Sequence, residues 1–273
     1  MIGKVYDRLE SMKSVATKTE LKIIDGIKQI KREDIIYMSI NELSAVLDVA
    51  EATLVRFCRK LEYRGFQDFK LSLSQELGAE QERPTDSCPR RVADDMIDAI
   101  VQTSKAFDYE ACKQVAAKIL EKRTVYAFGV GSSAIAPAML KSRLIRAGLT
   151  VENTHDTHSQ SLIASNLGSD DVIILVSVSG ATKDIITIAE IAKKNGATVV
   201  VITNYNRSPL AKYADYAFFS CRKEAAYEGG TLATVVAQSD IIDMISTTVF
   251  ELLGKEAGQR MLKVSMALSD KYL

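Results

Sequence analysis

The segment Ser39–Glu62, with the sequence SINELSAVLDVAEATLVRFCRKLE, predicts two short helices joined by a tight turn. Ser39 is placed to cap the first helix, because Glu42 follows three residues later and completes a capping box. Residues 48–50 then turn the chain into a second helix over residues 51–61. This arrangement is typical of a helix-turn-helix.

Apolar residues recur in both helices at the spacing of a shared hydrophobic core. The expected core residues are Leu43, Leu47, Val49, Leu54, Phe57 and Leu61. The opposite side of the second helix then faces solvent, as in a recognition helix, which presents its N-terminal residues to base edges and its basic groups to phosphates. The residues expected to contact DNA are Glu51, Ala52, Thr53, Val55, Arg56, Arg59, Lys60, Arg64 and Lys70.

Two residues depart from the usual helix-turn-helix pattern. Asp48 stands where such turns prefer glycine, and Ala50 replaces the usual capping serine. Aspartate tolerates a left-handed backbone, and a missing cap costs about 1 kcal/mol, which a packed core can absorb. Residues 50–70 carry five basic side chains against three acidic ones, a modest local excess. An ordinary helical hairpin with a solvated charged face is the alternative at this point.

The run VAEATLVRFCRKLEYRGFQDFKLSL, residues 49–73, resembles the signature of the RpiR/MurR family of bacterial regulators. The matching elements are Arg56-Phe57-Cys58, Arg64-Gly65-Phe66 and Asp68-Phe69-Lys70. The resemblance implies a winged or extended helix-turn-helix that reads double-stranded operator DNA.

The composition of the whole chain sets broader limits. Its 273 residues are enough for two domains, and Lys+Arg and Asp+Glu are equal at 35 each, so net charge does not indicate a nucleic-acid partner. The N-terminus lacks the apolar core of a signal peptide, and no run of about 18 apolar residues occurs, so we expect a cytoplasmic protein with no membrane partner. Wide spacing predicts reduced, mostly buried thiols and no zinc site for Cys58, Cys88, Cys112 and Cys221.

The sequence pattern divides the chain into three parts. Residues 1–77 are helical and predict the DNA-binding domain, whereas the polar segment 78–92 holds two of the four prolines and predicts a linker. In residues 93–273 apolar strands alternate with helices, which predicts an α/β domain with a parallel sheet flanked by helices. The expected strands are 125–128, 149–152, 172–176, 198–202 and 216–219, and the expected helices are 93–106, 109–121, 133–147, 184–194, 231–253 and 257–270.

The first candidate loop, Gly129-Val-Gly131-Ser132-Ser133, follows the first expected strand and precedes a helix. Glycines let the backbone approach an anion, and a helix N-terminus supplies amide donors and a favourable dipole. The same loop fits the dinucleotide fingerprint G-x-G-x-x-A through Ala134, and Glu152 lies near the expected position of a ribose-binding acid. This loop alone therefore leaves both ligands open.

The second candidate loop, Ser177-Val-Ser179-Gly180-Ala-Thr182, follows the strand 172–176 and precedes another helix. Its three hydroxyls, its glycine and the helix N-terminus can together donate to the oxygens of a phosphate monoester without a metal. A nicotinamide enzyme does not need this second group of donors, so the loop favours a phosphorylated ligand. A hydroxyl-rich cap that only terminates the strand is the alternative.

Together the two loops resemble the sugar isomerase (SIS) domain, and the resemblance covers residues 93–253. It implies the strand order of the SIS fold, a phosphorylated-sugar ligand and a homodimer or tetramer. In that family the second loop binds the phosphate, and the serine of the first loop contacts the sugar phosphate. The ligand residues implied here are Ser132, Ser133, Ser177, Ser179, Gly180 and Thr182.

Two further candidates lie in polar segments near expected strand ends. His158 follows the strand 149–152, and loops at the carboxyl ends of parallel strands face the ligand crevice. We expect His158 to bond a sugar hydroxyl or acetamido group, and Glu224 is a second candidate of this kind. Alternatively, His155 and His158 are exposed loop residues, and this pair alone does not predict a metal site.

The SIS fold by itself does not decide between an enzyme and a sensor. Isomerisation needs a Glu or His base, and no stretch presents a Glu–His pair that matches an isomerase. We therefore expect a transcriptional regulator of sugar catabolism genes, with no catalytic residue, cofactor or metal, whose DNA affinity a phosphorylated sugar controls. Family analogy suggests N-acetylmannosamine 6-phosphate or N-acetylmuramic acid 6-phosphate. A sugar-phosphate isomerase with an accessory DNA-binding domain is the alternative.

Overall fold

The computed structural model describes residues 4–80, 88–121, 124–220 and 231–269. The described helices up to residue 80 form one compact unit, and the elements from residue 88 onward form a second.

The first unit is helical throughout its described residues. Its helices are α1 (Lys4–Met12), α2 (Lys18–Gln29), α3 (Arg32–Tyr37), α4 (Ile40–Val46), α5 (Glu51–Lys60) and α6 (Phe66–Glu80). The predicted capping box at Ser39 is confirmed, since its side chain accepts a hydrogen bond from the Glu42 amide and the Glu42 carboxylate accepts one from the Ser39 amide. No strand occurs among residues 4–80, so this is an extended helix-turn-helix and not a winged one.

The predicted turn between α4 and α5 is confirmed. Asp48 has a φ of +50°, the left-handed conformation that an aspartate tolerates, and Ala50 begins α5 without a side-chain cap. Five of the six predicted core residues are buried, and Val49 is half-buried against them. Val46, which shares the helical spacing of α4's apolar residues, is instead 60% exposed.

The second unit alternates strands and helices as predicted. Its strands are β1 (Thr124–Gly129), β2 (Thr150–Glu152), β3 (Val172–Val176), β4 (Thr198–Thr203) and β5 (Tyr216–Phe219). Its helices are α7 (Cys88–Ala106), α8 (Tyr109–Glu121), α9 (Ile135–Leu144), α10 (Thr157–Ser165), α11 (Lys183–Lys194), α12 (Leu232–Leu253) and α13 (Lys255–Leu268). Short 3₁₀ helices cover Gly131–Ala134, Ile145–Ala147 and Leu210–Tyr213.

The predicted linker is shorter than expected. Because α6 continues to Glu80 and α7 begins at Cys88, helix occupies both ends of the segment 78–92. Polar composition alone did not distinguish a linker from the solvated ends of two helices.

The five strands form one parallel sheet in the order β2-β1-β3-β4-β5. All five residues of β3 are buried, because helices cover both faces of the sheet. On one face α8, α9 and α12 share a core with the sheet, and on the other face α10 and α11 do. The predicted α/β architecture is therefore confirmed.

Strand order places the two candidate loops side by side. β1 and β3 are neighbours, and the last residue of β1, Gly129, is in register with the last residue of β3, Val176. The chain leaves β1 toward β2 and leaves β3 toward β4, on opposite sides, which makes this the topological switch point of the sheet. Ligands of open α/β sheets bind in the crevice at such a point.

Two of the predicted buried thiols lie among the described side chains. Cys58 and Cys112 are both buried and free, and burial raises the pKa of the Cys58 thiol to about 12. The side chains of Cys88 and Cys221 lie outside the described residues. Within the described ranges, no helix is both long enough and apolar enough to cross a membrane.

Candidate functional site

The loop after β3, residues 177–182, is closed by its own hydroxyl groups. The hydroxyls of Ser177 and Thr182 are 3.1 Å apart, and the Gly180 amide donates to the Ser177 Oγ at 3.2 Å. The Ala181 amide donates to the Ser179 Oγ at 3.2 Å. The three predicted hydroxyls therefore lie within one turn at the carboxyl edge of the sheet.

Gly180 is the residue of this loop that tolerates no side chain. Its φ is +57°, and a Cβ would overlap the Ser208 hydroxyl and lie 2.9 Å from the Thr203 Oγ1. The segment after β4 also supports the loop, since Thr203 Oγ1 donates to the Val178 carbonyl at 3.1 Å. Thr203 and Ser208 were missed from the sequence, because neither lies in a motif and both reach the loop through the fold.

The N-terminus of α11 lies at the end of this loop. Thr182 occupies the capping position, but its hydroxyl contacts Ser177 and does not cap the helix. The first-turn amides of this 12-residue helix therefore point to the loop at the positive end of the helix dipole. Lys183, the first residue of α11, is exposed and adds a positive charge that the sequence reasoning did not single out.

The loop after β1 is a second tight turn beside the first. A Cβ on Gly129 would overlap the Ser133 carbonyl oxygen, and Gly131 has a φ of +61°. Both positions therefore require glycine. Ser132 is half-buried and Ser133 is buried in the 3₁₀ helix that follows. Since Gly129 and Val176 are in register, the two loops leave the sheet from adjacent strand ends.

The loop after β2 holds His155, whereas the predicted His158 lies in the first turn of α10 and not in a polar loop. His155 and His158 are exposed, and Asp156 between them caps α10 by accepting a hydrogen bond from the Ser159 amide at 2.7 Å. Hydrogen bonds from the Ser159 hydroxyl and from the Ser159 amide hold the pKa of Asp156 below its usual range. Gln160, which the sequence reasoning missed, donates to the Thr154 carbonyl at 2.7 Å and so ties this loop to α10. Glu224 lies outside the described residues.

The predicted DNA-contacting residues of α5 divide into exposed and half-buried groups. Exposed residues are Ala52, Arg56, Arg59 and Lys60, and half-buried residues are Glu51, Thr53 and Val55. Arg64, just beyond α5, is also exposed. Positions 52, 56 and 59 follow the spacing of a single helix face, so these side chains share one surface.

The basic residues of this surface differ in their partners. Lys60 lies 2.9 Å from the Glu20 carboxylate, and this contact lowers the pKa of Glu20. Neither Arg59 nor Arg64 has an ion-pair partner among the described residues. Two guanidinium groups are therefore available to an external anion, whereas the Lys60 charge is partly neutralised.

Lys70 is the predicted DNA-contacting residue that the structure contradicts. It is only 4% exposed, and its ammonium donates to the carbonyl of Met38 at 2.9 Å and to that of Ile36 at 3.3 Å. Burial lowers its pKa to about 8, although Glu42 opposes this shift. Lys70 therefore ties α6 to the end of α3 and does not reach DNA. Local pattern did not reveal this burial, because the carbonyl partners of Lys70 lie more than 30 residues earlier in the chain.

Two family models match the chain. The helix-turn-helix domain of the rpiR family matches residues 3–80, and the SIS domain matches residues 118–247. The second match includes the loops after β1, β2 and β3.

Individual proteins resemble the chain over nearly its whole length. An HTH-type transcriptional regulator of Clostridium perfringens is 30% identical over 97% of this chain and 98% of its own. The structure of the Vibrio vulnificus NanR protein complexed with ManNAc-6P has a TM-score of 0.90 at 27% identity and covers 98% of this chain and 99% of that chain. The sugar isomerase domain of an RpiR transcription factor from Sphaerobacter thermophilus, at 22% identity, has a TM-score of 0.58 over 66% of this chain and 98% of its own, which shows the fold alone.

Proposed function

The chain belongs to the RpiR family of helix-turn-helix transcriptional regulators with a SIS domain, and from this premise we propose that a phosphorylated sugar controls its affinity for operator DNA. In this proposal the helices up to α6 bind DNA, and the α/β unit binds the sugar phosphate at its carboxyl edge. The DNA contacts are the exposed residues of α5 and Arg64.

One observation carries the ligand half of the proposal, namely the register of Gly129 with Val176. It brings the two glycine-containing loops together at the switch point of the sheet. The hydroxyls of Ser177, Ser179 and Thr182 then supply neutral donors to a phosphate, together with the amide groups at the start of α11. The sequence also assigned the Gly180 amide to the phosphate, but that amide donates to Ser177 within the loop.

The remaining ligand contacts would come from the neighbouring loops. Ser132 and Ser133 lie in the 3₁₀ helix after β1, and the exposed His158 lies in the first turn of α10, where it can meet a sugar hydroxyl or acetamido group. The sequence also assigned Glu224 to this group, and that assignment stays a prediction.

The ligand class we propose is an amino-sugar 6-phosphate. Vibrio vulnificus NanR, which resembles the chain over nearly its whole length, was solved in complex with ManNAc-6P. N-Acetylmannosamine 6-phosphate is therefore the first compound to test, and N-acetylmuramic acid 6-phosphate is the second.

A sensor, and not an enzyme, is the role that suits this architecture. Ligand binding that changes the geometry of a homodimer would change the spacing of two recognition helices, and hence the affinity for a two-fold operator. The role we propose is that of a cytoplasmic protein that binds DNA. Incubation with sugar phosphates followed by NMR should show no turnover, and conversion of any of them would contradict the absence of catalysis.

Selection of binding duplexes from a random library with the full chain, followed by fluorescence anisotropy, tests the proposal. We expect ManNAc-6P to change the affinity for the selected duplex in a concentration-dependent way. The panel also contains N-acetylmuramic acid 6-phosphate, glucosamine 6-phosphate and fructose 6-phosphate. If none of the four compounds changes the affinity, control by a sugar phosphate is wrong.

The matched variants are two serine-to-alanine changes. Ser179→Ala removes a donor of the second loop and should require at least tenfold more sugar phosphate for the same response, while DNA affinity without ligand is unchanged. Ser165→Ala changes an exposed serine of α10 whose hydroxyl bonds its own helix, so it should behave as wild type. Equal responses of both variants would contradict the proposed phosphate contact.

A further inference from the structure

Buried polar side chains of α12 mostly satisfy their hydrogen bonds locally. Ser246 donates to the Ile242 carbonyl at 2.7 Å, and Thr248 donates to the Met244 carbonyl at 2.8 Å. Gln238 differs, because neither its amide nitrogen nor its amide oxygen has a hydrogen-bond partner among the described residues, although the residue is only 1% exposed.

The position of Gln238 relates it to the candidate ligand site. α12 follows the last strand of a parallel sheet, so it begins at the carboxyl edge, where it packs against the 3₁₀ helix that carries Ser132 and Ser133. Gln238 shares its helix face with Ile241 and Ile245, which belong to the core beneath the sheet. Gln238 lies in the second turn of α12, on the face that packs on the core beneath the sheet.

A second buried glutamine contacts the loop after β1. Gln160 is 0% exposed, and its amide nitrogen donates to the Thr154 carbonyl at 2.7 Å and to the Gly129 carbonyl at 3.4 Å. These two acceptors fix the orientation of the amide. Its oxygen then points away from both carbonyls and has no partner among the described residues.

Unsatisfied buried amides destabilise a folded protein, and where native proteins retain them a functional reason is expected. Neutral amide groups complement neutral hydroxyl and acetamido groups, because they both donate and accept without introducing a charge. In the proposed site, by contrast, the loop after β3 donates hydrogen bonds to the phosphate.

We propose that Gln238 is a specificity-determining residue that hydrogen-bonds the uncharged, sugar part of the ligand, with the Gln160 oxygen as a second acceptor. The inference rests on the proposed sugar-phosphate site and names the groups that distinguish one sugar from another. The orphaned amide atoms gain partners only when the sugar is bound.

Isothermal titration calorimetry of the full chain tests the role of Gln238. Gln238→Met keeps the shape of the side chain and removes its hydrogen bonds. It should weaken ManNAc-6P binding at least tenfold and leave the affinity for inorganic phosphate within twofold of wild type. An unchanged affinity for ManNAc-6P overturns the inference, and so does an equal loss for both probes, which would indicate a general change of the site.

Thermal unfolding without ligand supplies a readout that a structural glutamine would not give. Because Gln238→Met removes an unsatisfied buried amide, the variant should melt at the wild-type temperature or above it. A lower melting temperature would mean that Gln238 is satisfied within the folded chain and would overturn the inference. Ser246→Ala, on the same helix, is the matched control and should keep the wild-type affinity for ManNAc-6P.

Gln160→Met gives an independent check with the opposite effect on stability. It should also weaken ManNAc-6P binding, but it should lower the melting temperature, because two hydrogen bonds to carbonyls are lost. If the wild-type chain binds no compound of the sugar-phosphate panel, the proposed function fails and this inference fails with it. If the wild type binds and Gln238→Met binds equally well, only this inference fails.

Discussion

The two surfaces proposed to bind phosphate groups are built in different ways. On α5 the donors are long, exposed cations such as Arg56 and Arg59. In the loop after β3 they are short hydroxyls and backbone amides, held by a glycine that has no room for a Cβ. The first surface depends on charge, and the second depends on backbone geometry.

This difference follows from the ligands. A DNA duplex presents an extended array of phosphates and releases counterions when cations approach, so binding is salt-dependent and tolerates side-chain flexibility. A single phosphate monoester in a crevice needs donors at fixed distances. We therefore expect the addition of a single methyl group to abolish ligand binding by the loop after β3. The DNA affinity of α5 should instead change gradually as charges are removed or added.

The largest expected effect tests the loop after β3, whose ligand binding depends on backbone geometry. Gly180→Ala introduces a Cβ at a φ of +57° that overlaps the Ser208 hydroxyl. We expect more than a hundredfold loss of sugar-phosphate affinity in calorimetry and a loss of about 3 kcal/mol of unfolding free energy in urea. Gly168→Ala, where a Cβ would meet no atom within 4 Å, is the matched control. Tight ligand binding by Gly180→Ala would show that the loop is not geometrically constrained.

The next effect concerns Lys70, a buried cation of the helical unit that does not contact DNA. Burial lowers the pKa of Lys70 to about 8 from its ordinary value of 10.5, so between these pH values the unfolded chain binds a proton that the folded chain lacks. Stability therefore rises with pH in this window. We expect the wild type to gain about 2 kcal/mol over Lys70→Met between pH 7 and pH 9.5.

Urea unfolding of both proteins at the two pH values measures this difference. Operator affinity of the folded Lys70→Met variant should equal that of the wild type at pH 7, because the ammonium bonds backbone carbonyls within the unit. A parallel pH dependence of the two proteins would contradict the lowered pKa, and a loss of operator affinity would restore Lys70 as a DNA contact.

The smallest effect tests the exposed basic residues of α5 with a variant expected to bind DNA more tightly. Glu20→Gln keeps the capping box of α2 but releases Lys60 from its ion pair. We expect a fewfold increase in operator affinity and a salt slope about one unit steeper. Arg59→Ala is the companion variant of opposite sign and should weaken binding about tenfold with a shallower slope. Fluorescence anisotropy at several salt concentrations measures both, and unchanged slopes would remove these residues from the DNA interface.

Much of the fold could be predicted because its signals are local. Buried parallel strands such as Val172–Val176 are continuous apolar runs, and this strand was predicted to the residue. The capping box at Ser39 and the left-handed turn at Asp48 depend on side chains within a few residues of each other. Both loops of the candidate ligand site could be located for the same reason.

The errors concern contacts between residues distant in sequence. Lys70 was assigned to DNA as one of the five basic residues of the segment 50–70, yet its partners lie more than 30 residues earlier. Local pattern cannot distinguish such cases, because burial depends on which elements pack together.

The sequence by itself determined the two kinds of unit, the helix-turn-helix and the glycine and hydroxyl composition of the ligand loops, since periodicity and turn chemistry act over a few residues. Tertiary structure alone decided that β1 lies beside β3 and that Thr203 and Ser208 surround Gly180. It also left Gln238 buried without a partner among the described residues. These features arise from packing between separate elements, whose free energy no short stretch of sequence contains.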